Sequence, residues 1–327
     1  MKSQTYLRIA AGATFALLGL TVTSTSSLAE GYPSQPITLV NPYSAGGSAD
    51  LIARTLAESL TEQLGQPVVV ENRPGAATAI AATHVARAEP DGYTLLIASA
   101  PTHFITPVLQ DVQYKGLEDF APVAMVASVP NVLVVSGKSG MTSLEDLVAT
   151  AKQAPDTLAF ASVGNGSLPH LSSVLLMQET DTQMVHIPYG GSAPAVVDLL
   201  AGNVDMAFLN LPPMLPHIES GDLVALGIAA PNRAPLLPDV ATMTELGLGE
   251  FQMSTWYGIS APAGTPDDVV TKLDAALHTA LEQDSIKDRL GKSGVLEFYK
   301  DHSEYAAFLK SEATRMLDLL TSAGVQN

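Results

Sequence analysis

Short apolar runs and longer segments of helical periodicity alternate along most of the chain. Residues 37–40 (ITLV) form a β-branched run typical of a buried strand, and residues 50–64 then carry apolar side chains at helical spacing. Further strands are predicted at residues 68–70, 95–97, 132–135, 158–161, 184–187, 204–209, 224–229 and 256–260. Further helices are predicted at residues 76–88, 143–152, 168–178, 193–200, 213–219, 266–283 and 303–320. This alternation predicts right-handed βαβ units, and hence an α/β fold of mainly parallel sheets flanked by helices.

Length and composition favour two domains that need no covalent cross-link. The chain has 327 residues and no cysteine. A chain of this size buries enough apolar surface to fold without disulfides, usually as two domains. Since no Gly/Ser-rich linker separates the predicted elements, we expect two packed lobes joined by short crossovers.

The N-terminal segment has the layout of a secretory signal. Lys2 and Arg8 begin it, and the apolar stretch at residues 9–22 is shorter than the ~20 residues that span a bilayer. Ser27 and Ala29 supply the small residues of a cleavage site. We therefore predict that residues 1–29 are a signal peptide cleaved after Ala29, and that the mature protein is periplasmic. The alternative, an uncleaved membrane anchor, is disfavoured by the short apolar stretch.

The charge balance restricts the partners that the protein can have. There are 33 Asp and Glu residues against 16 Lys and Arg residues. Because phosphate backbones require clustered cations, nucleic acid is excluded as a partner. An anionic small molecule would have to be held by local dipoles, against the field of the whole protein.

The strongest candidate site is a glycine turn at residues 41–50 (NPYSAGGSAD), between the first strand and the first long helix. Ligands of α/β sheets bind beyond the carboxyl ends of the strands, and a helix start offers unpaired N–H groups to an anion. Asp50 is interpreted as a helix cap. An ordinary strand–helix turn is the alternative interpretation. The candidate ligand-binding residues of this turn are Tyr43, Ser44, Ala45, Gly46, Gly47 and Ser48.

Two later strand–helix junctions repeat the same device, at residues 162–167 (SVGNGS) and 188–192 (PYGGS). Parallel strands bring such junctions to one sheet edge, where their backbone donors make a convergent anion cradle. The candidate residues here are Ser162, Gly164, Gly166, Ser167, His170, Tyr189 and Gly190. Ser99, Thr102 and Asn210, at the ends of other predicted strands, are further candidates.

Motifs of enzymes and metal sites do not match the sequence. The segments at residues 137–139 and 291–293 (both GKS) lack the first glycine of a P-loop, and no Gly-x-Ser-x-Gly elbow occurs. The seven histidines show no zinc-binding spacing. We therefore expect no catalysis, no cofactor and no metal. The alternative is a secreted serine hydrolase that uses Ser167 and His170.

In order and spacing, a set of short motifs over almost all of the mature chain resembles the periplasmic receptors of tripartite tricarboxylate transporters, known as Bug proteins. The motifs are Tyr32-Pro33, Pro36-Ile37, the loop 46–50, 64–67 (LGQP), 71–76 (ENRPGA), 90–94 (PDGYT), 162–170, 187–189 (IPY), 193–194 (AP), 202–205 (GNVD), 238–240 (PDV), 245–247 (ELG), 256–258 (WYG) and 261–266 (APAGTP).

The resemblance implies a two-lobed clamp of the type II periplasmic-binding fold, with residues 30–131 plus 252–327 in lobe 1 and residues 132–251 in lobe 2. It also implies a monomer that holds a small carboxylate through main-chain amides and delivers it to a membrane permease. A ligand-sensing subunit of a signalling system is an alternative. Two positions depart from the family pattern: Ala45 replaces a usual proline, and Gly190 stands where lysine is frequent.

Overall fold

The computed structural model describes residues 31–249, 251 and 253–324, so the predicted signal peptide and its cleavage site lie outside the described residues. The strands are β1 Ile37–Asn41, β2 Val68–Asn72, β3 Thr94–Ala98, β4 Phe120–Val129, β5 Asn131–Ser136, β6 Ala159–Ser162, β7 Val185–Pro188, β8 Met206–Asn210, β9 Leu223–Ala229, β10 Thr255–Pro262 and β11 Leu296–Lys300. The α-helices are α1 Ser48–Leu64, α2 Ala79–Ala86, α3 Thr106–Leu109, α4 Leu144–Gln153, α5 Leu168–Thr180, α6 Ser192–Ala201, α7 Leu215–Glu219, α8 Asp267–Glu282, α9 Asp284–Gly291 and α10 His302–Ser322. A 3₁₀ turn at Ala76–Thr78 precedes α2, and a π-helical turn at Pro101–Ile105 precedes α3.

The strands form two sheets, which together with their helices define lobe 1 and lobe 2. The lobe 1 sheet has the order β11-β4-β10-β3-β1-β2, and the lobe 2 sheet has the order β7-β6-β8-β5-β9. The α/β class with helix-flanked sheets is confirmed. Both sheets are mixed, however: β1 pairs in parallel with β2 and β3, and β6 with β7 and β8, whereas the other pairings are antiparallel. Strands β5 and β10, each the first strand after the chain passes from one lobe to the other, run antiparallel to both of their neighbours.

The chain passes between the lobes without a flexible linker. Pro130 alone separates β4 of lobe 1 from β5 of lobe 2, and the chain returns between β9 and β10. One buried apolar cluster continues across these crossovers, from Met125 through Leu133 to Trp256. The residue limits of the two lobes remain a prediction.

Helix α1 shows how the sequence pattern positions the first glycine turn. Ile52, Leu56 and Leu60 recur at helical spacing and are buried on the lobe 1 sheet, beside Leu39 of β1. At about 25 cal/mol per Å² of apolar surface, burial of each such side chain stabilises the fold by roughly 2 kcal/mol. The start of the helix is thereby fixed at the end of β1.

No helix in the described part of the chain is long and apolar enough to cross a membrane.

Candidate functional site

Three helices begin at one cavity between the lobes. Helix α1 comes from lobe 1, and helices α5 and α6 come from lobe 2. The cavity volume is about 20 Å³, enough for one water-sized group. Its walls are Tyr43, Gly47, Ser48, Ala49, Pro101, Val163, Ser167, Leu168, Pro169, Ser192, Asn210, Thr255 and Tyr257.

The cavity walls hold backbone donors and no charge. None of the described residues that line it is acidic, basic or histidine. The N-cap residues of α1 and α6 are Gly47 and Gly191, and neither has a side chain that could cap the helix. The first-turn N–H groups of a helix have no partner within the helix and carry partial positive charge. Ser48 Oγ is buried there too, without a hydrogen-bond partner among the described residues. The cavity therefore suits a small anion.

A larger cleft of about 280 Å³ adjoins the cavity and shares Tyr43 and Val163 with it. Its other walls are Pro42, Gly75, Ala76, Ala77, Thr78, Gln110, Gly164, Asn165, Pro188, Tyr189 and Gly190. This cleft is also free of charged side chains among the described residues. The predicted helix at residues 76–88 was wrong at its start, because Ala76, Ala77 and Thr78 are left-handed, with φ of 44°, 48° and 82°. Such backbone costs about 1 kcal/mol or more per residue and clusters at functional sites.

The two lobes touch directly at the rim of the cleft. The Ser44 amide donates to the Gly190 carbonyl at 3.0 Å, and the Ser44 hydroxyl donates to the same oxygen at 3.2 Å. A Cβ atom added at Gly191 would lie 3.1 Å from the Ser44 backbone nitrogen. The lobes are therefore closed, and only glycine fits there without a shift of one lobe.

Asp50 holds the first glycine turn in shape. Its carboxylate accepts the Gly46 amide at 3.0 Å, the Asn72 side-chain amide at 3.0 Å and the Arg54 guanidinium at 3.0 Å. Burial alone raises the pKa of a carboxyl group, but these hydrogen bonds hold the pKa of Asp50 below its usual value. The Gly46 amide is thus used within the protein, so Gly47 and α1 supply the donors that face the cavity.

The second glycine turn is organised around two stacked histidines. The rings of His170 and His186 lie 4.2 Å apart, and Phe160 stacks on His186 at 4.8 Å. Burial lowers the pKa of both histidines to about 4. The Gly166 amide donates to His170 Nδ1 at 3.1 Å, and Ser162 Oγ pairs with His186 Nε2 at 2.7 Å. Both rings therefore support the turn.

The hydrolase alternative requires a hydrogen bond between the Ser167 hydroxyl and the His170 ring. Ser167 Oγ instead donates to the Gly164 carbonyl at 2.7 Å and accepts the His170 backbone amide at 3.3 Å. Within the described residues, no group of three or more histidine, aspartate or glutamate side chains is placed to hold a metal ion.

The structure brings together only part of the predicted site. Tyr43, Gly47, Ser48, Ser167 and Asn210 line the cavity, and Tyr43, Gly164, Tyr189 and Gly190 line the cleft. The other predicted residues line neither of them: Ser44, Ala45, Gly46, Ser99, Thr102, Ser162, Gly166 and His170.

These predicted residues lie outside the cavity and the cleft for different physical reasons. Ser99 Oγ pairs with the Tyr43 hydroxyl at 2.9 Å, and Thr102 is fully buried. Ala45 is exposed at the rim of the turn.

Several residues in the walls of the cavity and the cleft were not predicted from the sequence. Thr255 and Tyr257 come from β10, and Ala76–Thr78 come from the left-handed turn. Ser192 was recognisable, since it follows the third glycine pair and opens α6.

Two closed α/β lobes around an uncharged cavity lined by helix N-termini define a solute-binding protein of the clamp type. Comparison with known proteins gives the family. The model of the family described as tripartite tricarboxylate transporter family receptor matches residues 52–325, and the chain belongs to this family. It is therefore a solute-binding receptor.

Relatives and solved structures agree with this assignment. The chain is 39% identical to the protein BugT of Bordetella pertussis over 300 residues, which are 91% of this chain and 92% of BugT. The structure of Rhodopseudomonas palustris Rpa4515 with adipate is similar, with a TM-score of 0.87, 33% identity and coverage of 90% of this chain and 99% of that one. MatC from the same organism, with bound malate, has a TM-score of 0.83, 33% identity and coverage of 88% and 100%. The type II clamp expected from the resemblance is confirmed at the level of the fold.

Proposed function

We propose that the protein captures a small carboxylate between its lobes in the periplasm and delivers it to a membrane permease of the tripartite tricarboxylate transporter type. One observation carries the proposal: the N-termini of α1, α5 and α6 line one cavity, and none of the described residues in its walls is charged. Backbone dipoles stabilise an anion there without a basic patch, which an acidic protein lacks. The adipate and malate in two similar structures are carboxylates and support this chemistry.

Closure of the lobes would couple ligand binding to delivery. The hydrogen bonds from Ser44 to Gly190 join the lobes, and the cavity beneath them admits one water-sized group. A carboxylate therefore enters when the lobes separate, and contacts made from both lobes then favour the shut form. The permease would recognise this closed, loaded form.

Thermal unfolding with a panel of carboxylates tests the capture step. A ligand at 100 times its Kd stabilises the folded state by about 2.7 kcal/mol. We expect at least one di-, tri-, aromatic or amino carboxylic acid to raise the unfolding temperature, and its uncharged amide at the same concentration to leave it unchanged. Equal effects of the acid and its amide would contradict an anion site.

Delivery is tested separately. Vesicles that contain the membrane subunits should accumulate the labelled acid only when the loaded receptor is added. If the receptor binds the acid but the vesicles accumulate none, delivery is wrong while capture stands. Binding to a sensor kinase instead would support the ligand-sensing alternative.

A further inference from the structure

A chain of buried side-chain hydrogen bonds begins at two residues of the cavity wall, Tyr257 and Asn210. The Tyr257 hydroxyl donates to Asn210 Oδ1 at 2.7 Å, and Asn210 Nδ2 donates to Asn131 Oδ1 at 2.8 Å. Asn131 Nδ2 then donates to the Met253 carbonyl. Tyr257, Asn210 and Asn131 are 4%, 5% and 0% exposed, so water does not compete for these bonds. The chain links β10, β8 and β5 and therefore joins the two lobes.

The donor–acceptor order of these hydrogen bonds is fixed at the Met253 end. The Met253 carbonyl can only accept, so the NH₂ group of Asn131 must face it. Asn131 Oδ1 then faces Asn210 and requires a donor, which orients the NH₂ group of Asn210 toward it. Asn210 Oδ1 is left facing Tyr257, and the only proton of that hydroxyl is donated to it.

The Tyr257 oxygen is consequently available only as an acceptor. A phenol has one proton, which Asn210 receives, and lone pairs that remain. No donor to this oxygen is found among the described residues. Burial raises the pKa of Tyr257 well above its usual value, so the proton stays in place at neutral pH. An acceptor is unfavourable for a bare carboxylate, which has no proton to donate.

Given the proposed function, we propose that Tyr257 selects carboxylates that carry a hydrogen-bond donor, a hydroxyl or an ammonium group, beside the acid. Once the lobes separate enough to admit it, the cavity walls offer complementary groups to such a ligand. The starts of α1 and α6 donate to the carboxylate, and the Tyr257 oxygen accepts from the substituent. A site built to hydrogen-bond a hydroxyl rejects the analogue that lacks it, because its own polar group is then left unpaired.

Matched acid pairs test the selection on the wild-type protein. Calorimetry should compare malate with succinate and lactate with propionate, which differ by one hydroxyl, and aspartate with succinate for the ammonium group. In each pair that binds, we expect the substituted acid to bind at least tenfold more tightly. Equal Kd values within a pair would overturn the inference while leaving carboxylate capture intact. If no acid of any kind binds, the proposed function itself fails.

A variant pair then assigns the selection to one oxygen. Tyr257→Phe removes the acceptor, and we expect the tenfold preference to fall to less than twofold, mainly by weaker binding of the substituted acid. A merely structural loss would weaken both acids equally and keep their ratio. Tyr299→Phe is the matched control, because it also removes a tyrosine hydroxyl that donates to a side chain, Asp274, but lines neither the cavity nor the cleft. Its ratio should stay as in wild type; an unchanged ratio in Tyr257→Phe would overturn the assignment. Should Tyr257→Phe fail to fold, the wild-type pairs still decide.

Discussion

Two helices that begin at the cavity, α1 and α6, and two that begin away from it, α4 and α10, are capped in opposite ways. Helices α4 and α10 start with complete capping boxes, made by Ser143 with Asp146 and by Asp301 with Glu304. Helices α1 and α6 start behind glycine, with no side-chain cap. A cap satisfies first-turn amides and adds about 1 kcal/mol of stability. At the cavity the protein forgoes that stability, and the same amides remain available to a ligand.

Helix α5 begins at the cavity but is partly capped, so it lies between these two pairs of helices. Its N-cap residue Ser167 accepts the His170 amide, and the His170 ring accepts the Gly166 amide. Some backbone N–H groups of the second glycine turn and of the start of α5 are thus already hydrogen-bonded within the protein. We infer that the carboxylate depends more on α1 and α6 than on α5.

The largest effect is expected from a charged cap at α1. Gly47 has φ of −88°, and a Cβ atom there would meet neighbours no closer than 3.8 Å, so the fold accepts a side chain. Gly47→Asp places a carboxylate on the amides that the ligand uses and repels it. We expect calorimetry to show at least a hundredfold loss of affinity.

Gly47→Asn is the matched control, because asparagine caps helices as well as aspartate does but carries no charge. It should lose about tenfold from competition for the amides alone. Both variants should unfold at or above the wild-type temperature. If Gly47→Asp retains wild-type affinity, the uncapped helix is not the anion site.

The second prediction concerns His170, which lies on the intermediate helix α5. With a folded-state pKa of about 4, His170 stays neutral in the folded protein, whereas the unfolded chain protonates near pH 6.5. Below pH 6.5 the unfolded state binds more protons, so stability falls as the pH falls toward 4 and is unaffected above about pH 7.5. One such histidine lowers the free energy of unfolding by about 2 kcal/mol between pH 7 and pH 5.

Denaturant titrations at both pH values measure this loss. His170→Asn keeps an acceptor for the Gly166 amide but cannot be protonated, so its loss should be smaller than that of the wild type. A variant with the same pH dependence as the wild type would show that His170 does not contribute.

A cap at α6 should have a smaller effect than one at α1. Gly191 is extended, with φ of 167°, so serine is compatible with the backbone. The added Cβ atom would lie 3.1 Å from the Ser44 Cβ of the other lobe, and the hydroxyl would cap α6. We expect Gly191→Ser to weaken binding about tenfold by opposing closure. Gly291→Ser, whose added Cβ atom has no neighbour within 4 Å, is the control and should bind as wild type.

Much of the fold was readable from the sequence because its signals are local. Helical spacing predicted α1 and α8, and the strand–glycine–helix order predicted that three junctions meet at one cleft. The antiparallel pairing of β10 with β3 was not readable, since it joins strands about 160 residues apart in the chain. Tyr257 lies on that strand, and nothing near it in sequence marks it as a cavity wall.

Two local features also left no sequence signal. Alanine does not favour the left-handed conformation, so Ala76 and Ala77 suggested a helix. The hydrogen bond from the Ser44 hydroxyl to the Gly190 carbonyl was not predicted either, and the ligand contact expected of Ser44 stays a prediction. Both features depend on tertiary contacts, which local sequence preference does not report.

The smallest effect is expected at the helices with complete capping boxes, α10 and α4. Asp301→Ala removes the cap of α10, where the aspartate accepts the Glu304 amide at 2.8 Å. We expect denaturant titration to show a loss of about 1 kcal/mol in the free energy of unfolding, with ligand affinity unchanged. Ser143→Ala, at the capping box of α4, should behave in the same way. If either variant changed affinity as much as Gly191→Ser, capping would act on binding through overall stability, and the division between capped and uncapped helices would carry no functional meaning.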